Sequence, residues 1–194
     1  MGEETLFGKE GKFMNVAITA TGKDRPGIIC DLTGALFKAG GNLEDASMTI
    51  LEGEFAMIFL ASVDSQKAYQ KLLKQLELLK RKGLAVTTKE IKRRLVRGEK
   101  HQANTSSWII SVLGKDRAGI VYHVSNAAAQ HGLNITDLNS KIIGTGGKTG
   151  YALILEIDIP NKAGFSEKLN KSLQTLARKL SVTINLNPVD SEQF

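Results

Sequence analysis

The sequence predicts an α+β protein built from two like units, and three observations carry that prediction. Gly22-Lys23-Asp24-Arg25-Pro26-Gly27-Ile28 comes back as Gly114-Lys115-Asp116-Arg117-Ala118-Gly119-Ile120, an offset of 92 residues in a chain of 194. Self-similarity at such a period marks two copies of one folding unit. Within each copy, apolar residues at period 2 alternate with apolar residues at helical spacing, in the order strand, helix, strand, strand, helix, strand. Finally, the length suits two units of roughly 80–90 residues each.

The first strand is Phe13–Ala20, where Val16, Ile18 and Ala20 share one face; its counterpart is Trp108–Leu113. The chain turns at Gly-Lys-Asp-Arg and enters a helix with Pro26 in its first turn, a position proline tolerates well. Ile28, Leu32, Ala35, Leu36 and Ala39 make the apolar stripe of that helix, and Gly40-Gly41 stop it. In the second copy Ile120, Val124, Ala127 and Ala128 make the stripe, ending at Gly132.

Asn42–Leu51 and Asn134–Ile143 read as second strands, Phe55–Val63 and Tyr151–Ile159 as third strands. The register slips from 92 to 96 between them, so the second copy has four extra residues, at Gly144-Thr145-Gly146-Gly147, where a hairpin turn lengthens. Ala68, Leu72, Leu76 and Leu79, and then Phe165, Leu169, Leu173, Leu176 and Leu180, define the second helices. Leu84–Thr88 and Ser181–Leu186 close the units. The expected boundaries are 1–93 for the first unit (core 13–93), 94–105 for a basic linker and 106–194 for the second unit. A βαββαβ order folds as a ferredoxin-like plait, an antiparallel sheet with both helices on one face. The third strands are apolar on both sides, more than one layer of helices needs, so sheets or edges are expected to pack on each other, within the chain, between chains or both, and a homodimer is among the expected partners.

Composition excludes several classes. The longest apolar run, Phe55 to Val63, is far short of the ~20 residues that span a bilayer. The start lacks an apolar signal core, and a lone Cys30 forbids an intrachain disulfide, so a cytoplasmic location is expected. The net charge of +6 is concentrated between Lys80 and Lys100, where nine basic residues face two acidic ones. That block reads as a helix end, an edge strand and a linker. It has no interleaved aromatics for stacking bases and no helix-turn-helix nearby, which argues against direct nucleic-acid binding. His101, His123 and His131 show no metal-ligand spacing, so neither metal nor cofactor is expected. Gly146-Gly147-Lys148-Thr149 lacks the leading glycine of a phosphate loop and joins two strands. No catalytic constellation stands out, and an enzyme is not expected.

A βαββαβ unit with Asp24-Arg25-Pro26-Gly27-Ile28 after its first strand and Gly40-Gly41-Asn42-Leu43-Glu44-Asp45 opening its second resembles the ACT domain family. The second copy matches with Asp116 to Ile120 and with Gly132-Leu133-Asn134-Ile135-Thr136-Asp137. The likeness spans about 13 to 189. Two such units with little else resemble the glycine cleavage system transcriptional repressor family and related free-standing double-ACT proteins. The resemblance implies a regulatory protein that binds an amino acid or similar small effector where two ACT units meet, and that works through a partner protein. Carried onto this chain, the ligand-binding positions are Asp24, Arg25, Pro26, Gly27, Ile28 and Asn42, with Asp116, Arg117, Ala118, Gly119, Ile120 and Asn134.

The residues suit that chemistry on their own terms. A helix N-terminus offers free N–H groups to a carboxylate. Asp24 or Asp116 accepts from an ammonium, and Asn42 or Asn134 both donates and accepts. The same residues also serve a turn and a helix start, with Asp24 able to cap and Pro26 pre-set in φ. Ala118 for Pro26 and Leu133 for Gly41 make the two loops unequal. A second reading is an adaptor without a ligand that docks through the basic 80–100 segment.

Overall fold

The computed structural model describes residues 14–92, 100–144 and 149–189. The chain divides into two compact units between Gly98 and Glu99. The first runs β1 (Met14–Lys23), α1 (Ile28–Ala39), β2 (Asn42–Leu51), β3 (Glu54–Val63), α2 (Gln66–Lys80) and β4 (Ala85–Ile91). The second repeats the order with β5 (Thr105–Lys115), α3 (Ile120–Gln130), β6 (Asn134–Ile143), β7 (Gly150–Pro160), α4 (Phe165–Leu180) and β8 (Val182–Pro188). Each forms a four-stranded antiparallel sheet, ordered β2-β3-β1-β4 and β6-β7-β5-β8. This is the expected ferredoxin-like plait, made twice.

The cores follow the two periodicities. Val16, Ile18 and Ala20 on β1 and Phe55, Met57, Phe59, Ala61 and Val63 on β3 point to the helices, which return Leu32, Leu36, Leu72 and Leu76. Burying side chains of this size stabilises by about 1.5–3 kcal/mol each. In the second unit Ile110 and Val112, Leu153, Leu155 and Ile157, and Leu169 and Leu173 do the same. The other side of β3 stays open, and Ile58 is half exposed there.

The change of register is visible in the pairing. Leu51 pairs with Glu54 across a two-residue turn in which Glu52 and Gly53 both have positive φ, the hairpin geometry that matches strand twist. In the second unit Ile143 pairs with Gly150, four residues later than the first copy's spacing. The edge strands β2 and β6 carry a bulge at the same place, between Leu43 and Asp45 and between Ile135 and Asp137. A shared irregularity of this kind re-aims the strand and blunts its edge.

Two details depart from expectation. β1 runs on through Gly22 to Lys23, which pair with Phe55 and Glu54 of β3, and only glycine fits at 22, where a Cβ would lie 2.9 Å from Cδ2 of Leu84, the residue before β4. Helix α1 begins at Ile28, after Pro26 instead of at it, with Gly27 as its left-handed N-cap and no side-chain cap from Asp24. The polar stretch read as a linker, 94–105, has 94–99 outside the described residues, while Lys100, His101 and Gln102 bond to β7. Among the described residues, no helix is long and apolar enough to cross a membrane.

Candidate functional site

The repeated loop is built identically in outline. Pro26 and Gly27 occupy the middle of a turn, and Gly27 has φ 88° and ψ 0°. Those angles fit the third residue of a type II turn, which needs a residue free to adopt positive φ. Gly119 repeats the conformation at φ 93° and ψ −3° after Ala118. Proline pre-sets the turn in the first copy, and alanine adopts it in the second.

The turn aims the start of α1 at a cleft. The first helical hydrogen bond runs from the Asp31 N–H to the Gly27 carbonyl at 2.8 Å. The amides of Ile28, Ile29 and Cys30 therefore have no carbonyl a turn back to receive them. These residues, together with Asp24, Arg25, Pro26 and Gly27, line one side of a cleft of about 430 Å³, and Met48, Ile50 and Phe55 line the other. A second bond fixes the loop to the sheet, the Asp24 N–H donating to the Gly53 carbonyl of the β2–β3 turn at 2.8 Å. The cleft thus lies between the helix entry and the edge strand. Met48 and Ile50 were not singled out from sequence; their period-2 spacing on β2, beside the loop end of the sheet, was the available signal.

Arg25 is already engaged. Its guanidinium donates to Asp31 at 2.8 Å, and Lys82, beyond the end of α2, reaches the other oxygen at 3.3 Å. The hydrogen bond from Arg25 holds the Asp31 carboxyl below the usual carboxylate range, against burial, with Lys82 adding to the effect. The second loop has His123 where the first has Asp31. Arg117 accordingly has no carboxylate partner among the described residues and reaches only the Leu180 carbonyl, at 3.5 Å. The His123 ring lies over the loop instead, about 3.5 Å from where a Cβ on Gly119 would sit.

Asn42 and Asn134 are not brought to these loops within their own units. Asn42 pairs with Ser62, whereas the loop follows Lys23, which pairs with Glu54 at the far end of the sheet. Nine residues of strand separate the two ends, roughly 30 Å. Asn42 donates to Glu44 at 3.1 Å, and Glu44 also accepts from Ser62. Asn134 stands opposite Asp158 in the same way.

Asp158 itself is a polar group that sequence reasoning passed over. It is buried on β7, accepts from the Gln102 N–H at 2.9 Å and lies 2.7 Å from His101 Nδ1. A carboxylate can only accept, so that ring nitrogen carries the proton. Two residues earlier, Glu156 takes the Lys100 ammonium and the Ser107 hydroxyl, and the hydrogen bond from Lys100 lowers its pKa. The signal was a pair of acids inside an otherwise apolar run, where the first copy has Leu60 and Ser62. Of the basic block, Lys80, Lys82 and Lys100 are held by Glu77, Asp31 and Glu156, and Arg93, Arg94 and Arg97 lie outside the described residues. No cluster of three or more metal-ligating side chains exists among the described residues.

Comparison with known proteins fits this geometry. The ACT domain family matches at residues 15–89 and again at 107–187. A UPF0237 protein of Methanopyrus kandleri is 38% identical over 76 residues, 39% of this chain and 80% of its own length. One from Pyrobaculum aerophilum is 27% identical over 82 residues, 42% of this chain and 87% of its own. A solved structure of an unknown protein from Galdieria sulphuraria superposes with a TM-score of 0.74 at 24% identity, covering 92% of this chain and 99% of that one. A putative glycine cleavage system transcriptional repressor does so at 0.67 and 22%, covering 92% and 98%. Both structural likenesses speak to the fold of the whole tandem. With two consecutive matches that together span most of its length, the chain belongs to the ACT domain family.

Proposed function

We propose that this protein is a non-enzymatic regulator that binds a free amino acid or similar small effector at its strand-to-helix loops. The observation that carries the reading is the cleft beside α1, which is lined by Asp24 to Gly27 of the repeated loop and by Ile28, Ile29 and Cys30, whose amides open the helix. An α-carboxylate is stabilised by such amides and by the positive end of the helix dipole, and an ammonium by the aspartate. The same loop recurs at Asp116 to Ile120 in the second unit, where the effector's carboxylate also meets Arg117, which no acid among the described residues neutralises.

The effector lies where two ACT units meet. Asn42 and Asn134 then contribute from the neighbouring unit, because neither reaches the loop of its own. A ligand touching two units favours the arrangement that it bridges, by its difference in affinity for the two states. That change is read by a regulatory partner protein, and the fold shared with a putative transcriptional repressor supports an action on transcription or amino-acid metabolism. Thermal-shift and calorimetric screening of the free amino acids tests the reading. At least one raises the melting temperature of the whole protein, and Asp24→Ala weakens the response; silence from every amino acid ends the proposal.

A further inference from the structure

The walls of the first cleft differ in chemistry from its mouth. Ile29, Met48 and Ile50 line it while remaining 47%, 42% and 52% exposed, and Phe55 closes the floor at 2%. Apolar side chains left half in water beside a polar loop gain free energy when an apolar group covers them, roughly 25 cal/mol for each Å² removed from water. The polar groups that the loop offers beside this apolar lining are those of Asp24 and of the helix start. An amino acid has that same division, with charges on one carbon and the side chain beyond it.

We infer that the first unit's cleft selects an amino acid with a large apolar side chain, the leucine, isoleucine, methionine or phenylalanine class, over glycine, serine or acidic residues. This rests on the reading that the loop holds an amino acid, and adds which kind. The carboxylate takes the amides of Ile28 to Cys30, the ammonium takes Asp24, and the side chain lies along Met48 and Ile50 above Phe55. The second unit gives the contrast within one molecule. The strand registers put Ser140 where the first unit has Met48, and Tyr151 where it has Phe55. Ile142 and Val121 repeat Ile50 and Ile29, so the second wall is more polar only at Ser140 and at the Tyr151 hydroxyl, and the apolar preference is stronger in the first unit.

The test is calorimetry on the full chain with L-leucine, L-isoleucine, L-methionine and L-phenylalanine against glycine, L-serine and L-aspartate, repeated on Met48→Ser and Ile50→Thr. An apolar pocket discriminates by about tenfold or more for each methylene it covers. Leucine is expected to bind at least tenfold more tightly than glycine, and Met48→Ser to reduce leucine affinity about tenfold. Both replaced side chains are half exposed, so the melting temperature without ligand serves as the folding control. Glycine or serine binding as tightly as leucine overturns the selectivity while leaving amino-acid binding intact. Leucine affinity unmoved by either variant overturns it too, as does a Met48→Ser effect confined to self-association in the ultracentrifuge. Silence from all seven amino acids removes the parent reading and this inference together.

Discussion

Arg25 and Arg117 stand at the same point of the same motif, yet they are in different electrostatic states. In the first loop Asp31 neutralises the guanidinium and Lys82 shares the carboxylate, which ties the helix entry to the end of α2. In the second loop His123 stands in place of the acid and, among the described residues, Arg117 reaches only the Leu180 carbonyl. Duplication kept the backbone, with its left-handed glycine and its free amides, and let the side chains around it diverge. What recurs is a way to present a helix start. What differs is the ligand chemistry that each presentation favours.

The comparison can be broken most forcefully where one copy has glycine and the other leucine. A Cβ on Gly41 would collide with Leu36 and lie 3.0 Å from the Ser62 carbonyl, whereas Leu133 is part of the second core. Leu133→Ala should lower stability by about 2–3 kcal/mol through a cavity. Gly41→Leu should lower it by about 2 kcal/mol through overpacking. Chemical denaturation of each variant checks both, and a neutral Gly41→Leu would mean that the two helix ends are interchangeable.

The strap on the second unit comes next. Asp158→Ala leaves the His101 ring and the Gln102 amide without their acceptor, a loss of about 1–3 kcal/mol. Trypsin should then cut after Lys100 several times faster, and an unchanged digestion pattern would contradict the strap. Of similar or smaller size is the cost of alanine at the loop glycines. Gly27→Ala and Gly119→Ala should each cost about 1–2 kcal/mol, equally in both units, because the left-handed conformation alone sets it. Unequal costs would show that His123, close to Gly119, matters to the second loop.

The smallest effect is on the ion pairs. Asp31 has a pKa below its unfolded value, so its contribution is complete above about pH 3.9 and is lost as pH falls through the depressed folded value. With the partners partly exposed, the loss is about 1 kcal/mol or less. Asp31→Asn should therefore be less stable than the native chain near neutrality and converge with it in acid.

Much of this was legible in the sequence, and the legible part has a common character. The fold, the helix stripes and the place of the hairpin insertion follow from spacing alone, and the pairings Leu51 with Glu54 and Ile143 with Gly150 bear out the shift from 92 to 96. The illegible part depends on contacts distant in sequence or on a sign of φ. Gly27 as N-cap in place of Asp24 is a matter of φ, for which the letters Pro-Gly allow more than one helix start. The Lys82–Asp31 and His101–Asp158 pairs join residues more than fifty apart, which no local pattern records. Asn42 lay beside the loop in the motif, but helix α1 runs back between them and carries it to the opposite end of the sheet.

One measurement bears most directly on the claim that the repeated loop is an effector cradle whose first copy prefers apolar side chains. It is an amide ¹⁵N–¹H titration of the intact protein with L-leucine. The account predicts saturable shifts at Arg25, Gly27, Ile28, Ile29 and Cys30 and at Met48 and Ile50, with smaller changes at Arg117 to Tyr122. Unmoved loop amides, or shifts confined to other surfaces, would contradict it.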